Sequence, residues 1–105
     1  DKFKATLEVI EERPWTLTGM KEEVVTAVAS AYREITKKEP VYNGVPGATD
    51  GTFLHKAGIP ILTTGAGDRH IPHHADEYVA IDQLVESTQL FALSALTFLT
   101  QPVRA

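Results

Sequence analysis

The chain contains no cysteine, which excludes disulfide bonds and thiolate metal ligands. Any metal ion in it has to be held by imidazole and carboxylate groups. Positive charge is also scarce, because 10 Lys and Arg residues face 14 Asp and Glu residues and the formal net charge is −4. The chain therefore lacks the basic face that nucleic-acid binding requires, and no apolar run approaches the ~18 residues of a membrane span. We expect neither nucleic acid nor a membrane as a partner, and the cytoplasm as the default location.

The composition is that of a folded protein. With 105 residues, of which 43% are hydrophobic and 23% charged, the chain amounts to one globular domain or a part of one. It starts at Asp1 with neither an initiator methionine nor a signal-peptide pattern. We therefore expect it to be a segment of a longer protein.

Two helices are predicted in the first half of the chain. Apolar residues recur at helical spacing over residues 21–37, where Thr18 or Gly19 is placed to cap the helix start. A shorter helix is predicted over about residues 50–57. Gly58 follows it directly, which is the position where glycine commonly ends a helix.

A third helix is predicted from Ile81 to a stop at Pro102. Its apolar stripe at helical spacing consists of Ile81, Leu84, Val85, Thr88, Ala92, Ala95, Leu96 and Leu99, widened by Leu90, Phe91 and Phe98. A stripe of this width predicts that the helix packs broadly on a sheet.

Short extended segments alternate with these helices. Apolar and polar residues alternate over residues 3–10, which predicts a strand with one wet face. Residues 40–42 and 78–79 are shorter candidates, and residues 59–63 form an apolar, branched run of the kind found in buried strands. The order predicts an α/β fold, namely a partial sandwich in which helices cover a mostly parallel sheet.

Three of the four histidines lie in one glycine-bearing loop, which makes the loop a candidate metal site. His70, His73 and His74 can each offer a neutral ring nitrogen to an ion such as zinc, and Asp76 and Glu77 follow as carboxylates that could orient a ligand. A single histidine is more often a surface residue than a ligand. The cluster and its place after an apolar run favour a metal role for at least one of the three.

Thr49, Asp50 and Gly51 form the second candidate site, at the start of the short predicted helix. The simpler interpretation is an N-cap in which the Thr49 or Asp50 side chain accepts from free backbone amides. The functional interpretation adds that such a helix start can receive a carboxylate from a substrate.

The order of the motifs resembles the C-terminal section of the dizinc peptidase and amidohydrolase family that includes acetylornithine deacetylase, succinyl-diaminopimelate desuccinylase, aminoacylase-1 and glutamate carboxypeptidase. The resemblance covers about residues 21–99. It rests on GATDGTFL at residues 47–54, AGIP at 57–60, GAGD at 65–68 and HHADEYV at 73–79, followed by a long helix. The combination of motifs is specific, whereas each motif alone is not.

The resemblance implies roles for individual residues. In the family, a histidine four places before the glutamate binds one of two zinc ions, and counting back from Glu77 gives His73, with His74 as the alternative. Ala75 stands where the family usually has proline, a departure that loosens the turn. Residues 49–51 are implied to lie beside the carboxylate of the substrate.

The resemblance also implies that most of the active site lies elsewhere. Residues 1–13 resemble the last strand of an inserted lid and dimerisation domain, and residues 14–105 the C-terminal part of the catalytic domain. The implied full-length enzyme is a homodimeric zinc metallopeptidase or amidohydrolase that cleaves peptides or N-acyl amino acids with metal-activated water. This chain would supply one zinc ligand and no catalytic residue, and would be inactive without the N-terminal section. The alternative is a stand-alone metal-binding or assembly module.

Overall fold

The computed structural model describes residues 2–101 and contains three α-helices in that range. These are α1, Glu23–Thr36; α2, Gly51–Lys56; and α3, Ile81–Thr100. The described residues between the helices form turns or extended segments without strand pairing. The prediction of an α/β fold with a mostly parallel sheet covered by helices is therefore wrong for residues 2–101.

The predicted strands fail because each needs a backbone partner as well as an apolar pattern. Residues 3–10 have no regular secondary structure and every side chain there is exposed, with Phe3 at 93%. Residues 40–42, 59–63 and 78–79 are likewise outside any strand. An apolar pattern reports that side chains favour burial, but it does not supply the neighbouring chain that a ladder of hydrogen bonds requires.

The predicted helices are confirmed, with ends that differ by one or two residues. α1 begins after Glu22, which makes no side-chain cap, so the expected cap from Thr18 or Gly19 is wrong. Lys37 caps the C-terminal end of α1 as a left-handed residue, and its N–H donates to the Arg33 carbonyl at 2.9 Å. Gly58 follows α2 with a φ of +82°, as predicted for a residue that ends a helix.

α1 is buried on opposite sides. Val25 and Ala29 line a crevice that also includes residues 40–42 and 62–64. On the other side Ala31 lines a crevice with Leu93 of α3, and α1 packs directly on α3. The small alanines allow this close approach, and the buried apolar side chains of the described chain are Val25, Ala27, Ala29, Ala31 and Leu90.

α3 uses a different face from the one predicted. The side chains it buries are Leu90 and Ser94, which lie one helical turn apart on the side of α1. The predicted stripe is exposed at both ends, 80% at Ile81 and 79% at Leu99. The prediction that this stripe packs on a sheet is wrong in residues 2–101, because no sheet lies there to receive it.

The molecule is open for its size. Its radius of gyration is 18.2 Å, whereas a compact chain of this length has about 13 Å. Its accessible surface is 9243 Å², against about 5,800 Å² for a compact protein of the same mass. The exposed segment of residues 3–10 and the exposed face of α3 both contribute to this excess.

In the part of the chain that the structure describes, no helix combines the length and the apolar character needed to cross a membrane.

Candidate metal loop and neighbouring cleft

The histidine loop is shaped by short hydrogen bonds between its own residues. The Asp68 carboxylate accepts from the His70 N–H at 2.9 Å, and the Asp68 carbonyl accepts from the Ile71 N–H at 3.1 Å. A second turn follows, in which the His74 N–H donates to the Ile71 carbonyl at 3.1 Å. The loop is thus built of consecutive turns, which is why the glycine-bearing sequence does not continue as a strand.

Residues 73–77 form a closed ring at the end of this loop. The backbone N–H of His73 donates to Oε2 of Glu77 at 3.2 Å. Both His73, with φ of +67°, and Asp76, with φ of +58°, are left-handed. Glu77 was expected to orient a ligand through its carboxylate, and it does contact His73, but at the backbone instead of the imidazole.

The ring holds two residues in a conformation that side chains other than glycine seldom adopt. The left-handed region costs about 1–2 kcal/mol per residue, although Asp and His enter it more readily than most. Residues held there by their surroundings are found preferentially at functional sites. Three non-glycine residues of residues 2–101 have a positive φ, and two of them are His73 and Asp76.

The imidazoles of the loop are open to a ligand. His70, His73 and His74 are all exposed, and within residues 2–101 none of the three rings makes a hydrogen bond. The described residues bring no three metal-ligating side chains together. The loop can therefore supply one imidazole to a metal ion, but it does not form a complete metal site.

The start of α2 differs from the predicted cap. Asp50 precedes the helix without a side-chain hydrogen bond to it, so capping by the Thr49 or Asp50 side chain is wrong. Instead the Thr49 carbonyl accepts from the N–H of Thr52 at 3.2 Å and from its hydroxyl at 3.1 Å. The Thr49 and Asp50 side chains are exposed. A Cβ added to Gly51 would lie 2.7 Å from Cδ1 of Ile61, so this position is close to its neighbour.

One contact joins the histidine loop to the irregular segment before α2. Nη2 of Arg69 donates to the Gly44 carbonyl at 3.2 Å, across 25 residues of sequence. Sequence reasoning missed this contact, since neither residue belongs to a periodic pattern. Among the described residues, no hydrogen bond or ion pair links His73 itself to Thr49 or Asp50.

A cleft of about 670 Å³ lies next to the segment that contains Gly44. It is bounded by residues 14–18, 41–45 and 61–63, and Thr49 is part of its wall. His70, His73 and His74 are not among its lining residues. The structure therefore places one predicted substrate-binding residue at the cleft and leaves the histidines outside it.

Comparisons with known proteins give the chain a family. The sequence pattern described as Peptidase family M20/M25/M40 matches residues 4–97. The N-formyl-4-amino-5-aminomethyl-2-methylpyrimidine deformylase of Bacillus subtilis (strain 168) is 36% identical over 66 residues, which is 63% of this chain and 16% of that protein. An uncharacterized metallohydrolase of Methanococcus maripaludis is 26% identical over 91 residues, 87% of this chain and 22% of that protein. No solved structure gives a significant match.

The chain spans about a sixth of the deformylase and about a fifth of the metallohydrolase. Both relatives are hydrolases by name, and one is named as metal-dependent. The predicted resemblance is confirmed, because the family match covers nearly the whole chain and includes the histidine loop and α2. The chain belongs to Peptidase family M20/M25/M40.

Proposed function

We propose that this chain is the C-terminal section of a zinc-dependent hydrolase that cleaves the amide bond of a peptide or an N-acyl amino acid. In this proposal residues 14–105 belong to the catalytic domain, and residues 1–13 to an inserted lid and dimerisation domain. The described residues carry no complete metal site. The chain alone is then inactive, and activity requires the N-terminal section of the same enzyme, a cytoplasmic homodimer.

The ring of residues 73–77 is the observation that carries the proposal. It presents His73 with an exposed imidazole while the Glu77 carboxylate holds the His73 backbone at 3.2 Å. His74 lies in an ordinary turn, bonded through its N–H to Ile71. The positive φ of His73 distinguishes it from His74 and favours it as the ligand.

The bound zinc would supply a water of lowered pKa and polarise the scissile carbonyl. The role of this chain is to hold the zinc ligand His73 in place and to orient the substrate. Glu77 keeps the His73 backbone in its left-handed conformation, and Arg69 ties the loop to Gly44. Thr49, Asp50 and Gly51 are the proposed substrate-binding residues, and the exposed Thr49 and Asp50 side chains are free to meet a polar group of the substrate.

The deformylase relative favours short N-acyl amides as the first substrates to try. The name of the Bacillus subtilis relative describes removal of a formyl group from an N-formyl compound. Cleaving a formamide and cleaving an N-acyl amino acid break the same type of bond. A panel of N-formyl and N-acetyl amino acids, with dipeptides as a third set, covers the proposed substrate class.

The test uses the full-length enzyme with His73→Ala, and with His74→Ala and His70→Ala as matched controls from the same loop. We expect His73→Ala to lose one equivalent of zinc and to lower kcat/KM about a hundredfold or more. The two controls should keep their metal and most of their activity. Metal content is measured by atomic emission and hydrolysis by amine release. Full zinc occupancy in His73→Ala, or its loss in His74→Ala, would refute the assignment.

A further inference from the structure

α3 presents an apolar face that nothing in residues 2–101 covers. This open face is made of Ile81, Leu84, Val85, Thr88, Ala92, Ala95, Leu96 and Leu99. It lies opposite Leu90 and Ser94, which face α1. Val85 and Leu96, near the two ends, are 54% and 59% exposed.

The charged residues of α3 lie on a narrow strip between its open face and the side that faces α1. The strip contains Asp82, Glu86 and Gln89, and these two carboxylates are the only charged groups of the helix. A helix that meets water on one side carries a broad polar face, whereas one that is apolar on most of its circumference is buried on most of it. The open face of α3 carries no charged side chain and so lacks the polar face of a helix that meets water there, yet α1 covers only the opposite side.

The size of the uncovered surface distinguishes between possible partners. The chain exposes about 3,400 Å² more than a compact protein of its mass. A standard interface with a second copy buries about 800 Å² on each partner, which removes only a fraction of that excess. The excess belongs to the whole chain, with the open face of α3 and residues 3–10 both part of it, and covering most of it takes packing of the kind found inside a domain.

The relatives have enough additional chain to provide such packing. The matched region is 16% of the deformylase and 22% of the metallohydrolase. We propose that the open face of α3 is buried inside the full-length enzyme, against a part of the same polypeptide that lies outside these 105 residues. The inference rests on the proposed function in so far as it takes the chain to be a section of a longer hydrolase.

The test is cysteine accessibility in the full-length enzyme. The 105 residues contain no native cysteine, so each introduced thiol is the only one in this region. Val85→Cys and Ala92→Cys place a thiol on the open face with little change in volume. Gln89→Cys places a thiol on the strip of the same helix that lies between the open face and the side facing α1. Maleimide labelling of each variant is followed by mass spectrometry, with the parent enzyme as background and urea-unfolded protein as the limit of full reactivity.

We expect Val85→Cys and Ala92→Cys to react at least about tenfold more slowly than Gln89→Cys, since a buried thiol reacts only when the structure opens. The slow reaction should persist when the enzyme is diluted to monomers. Equal rates at all three positions overturn the proposal, and so does protection that disappears on dilution, which assigns the face to a second copy. Ala92→Cys keeps the test available should Val85→Cys not fold.

Amide hydrolysis is measured on the same samples, so that the two proposals can fail separately. Protected thiols in an enzyme that hydrolyses no amide leave the buried face standing and refute the proposed function. Reactive thiols in a fully active enzyme refute the buried face and leave the proposed function standing.

Discussion

The hydroxyl of Thr18 pairs with both backbone polar groups of Ile61. It donates to the Ile61 carbonyl at 2.5 Å and accepts from the Ile61 N–H at 3.3 Å. One side chain thus takes the place that the backbone of a neighbouring strand would occupy. This contact holds residues 59–63 beside the segment that leads into α1.

Replacing Thr18 with valine should therefore destabilise the full-length enzyme. Valine keeps the shape but leaves the N–H and the carbonyl of Ile61 without a partner, at a cost of about 1–2 kcal/mol for a half-buried site. Thr18→Ser keeps the hydroxyl and should lose less than half of that. The free energy of unfolding is measured by urea denaturation.

Thr16→Val is the matched control for this substitution. Thr16 is half-buried on the same segment, and its hydroxyl has no hydrogen-bond partner among the described residues. Its replacement should be close to neutral. Equal losses at positions 16 and 18 would show that the Thr18 hydroxyl contributes nothing specific.

Removing the Glu77 carboxylate should weaken metal binding more than it weakens the fold. Glu77→Ala opens the ring and releases the His73 backbone, but the carboxylate is exposed, so the unfolding free energy should change little. Loss of a group that orients a ligand typically lowers metal affinity about 10–100-fold. Competition with a chelator measures the affinity, and thermal unfolding of the metal-free protein measures the fold.

Asp82→Ala serves as the control, since it removes an exposed carboxylate five residues further along, outside the ring. It should leave the zinc affinity as it is. If Glu77→Ala also binds zinc with the affinity of the parent, the ring does not position His73.

Glycine at position 37 should stabilise the protein. Lys37 ends α1 with φ of +56° and ψ of +26°, a conformation that costs a non-glycine residue about 1 kcal/mol. Its ion pair with Glu34, at 3.0 Å, joins two exposed groups and contributes little. Lys37→Gly should therefore raise the midpoint of urea unfolding.

Lys38→Gly, one residue later in the chain, should have the opposite effect on stability. Lys38 has no positive φ, so glycine there only increases the freedom of the unfolded chain and lowers stability. Thermal or urea unfolding of both variants decides the matter. A loss of stability in both would mean that the left-handed end of α1 carries no strain.

The helices could be predicted from sequence because their information is local. Apolar spacing placed α1 and α3 to within two residues of their ends, and Gly58 marked the end of α2. Which face of α3 is buried could not be predicted in this way. Large apolar residues occur on both sides of the helix, and only the position of α1 decides that Leu90 points inward while Ile81 does not.

The predictions of strands and of helix caps were wrong because both structures depend on partners distant in sequence. An apolar run such as residues 59–63 has the composition of a buried strand, yet its backbone meets the Thr18 hydroxyl, 43 residues away. The same contact removes Thr18 from the role of helix cap. The spacing of residues in the sequence does not show whether a threonine caps a helix or bonds to a distant backbone segment.

The position of the candidate site in the chain could be predicted from sequence, but its backbone conformation could not. The histidine cluster pointed to residues 70–77, and the family match includes them. Nothing in the sequence marks His73 as left-handed, since glycine and asparagine are the usual residues there. The Arg69 contact with Gly44 has no local signal either.

The two-sided burial of α1 has a consequence for how the chain opens. Local unfolding starts where apolar contacts are few and stops where they are dense, so backbone amides of α1 should be the last in residues 2–101 to exchange with deuterium. The exposed residues 3–10 should exchange first. α1 is then the element that must melt before α3 can separate from residues 40–42 and 62–64.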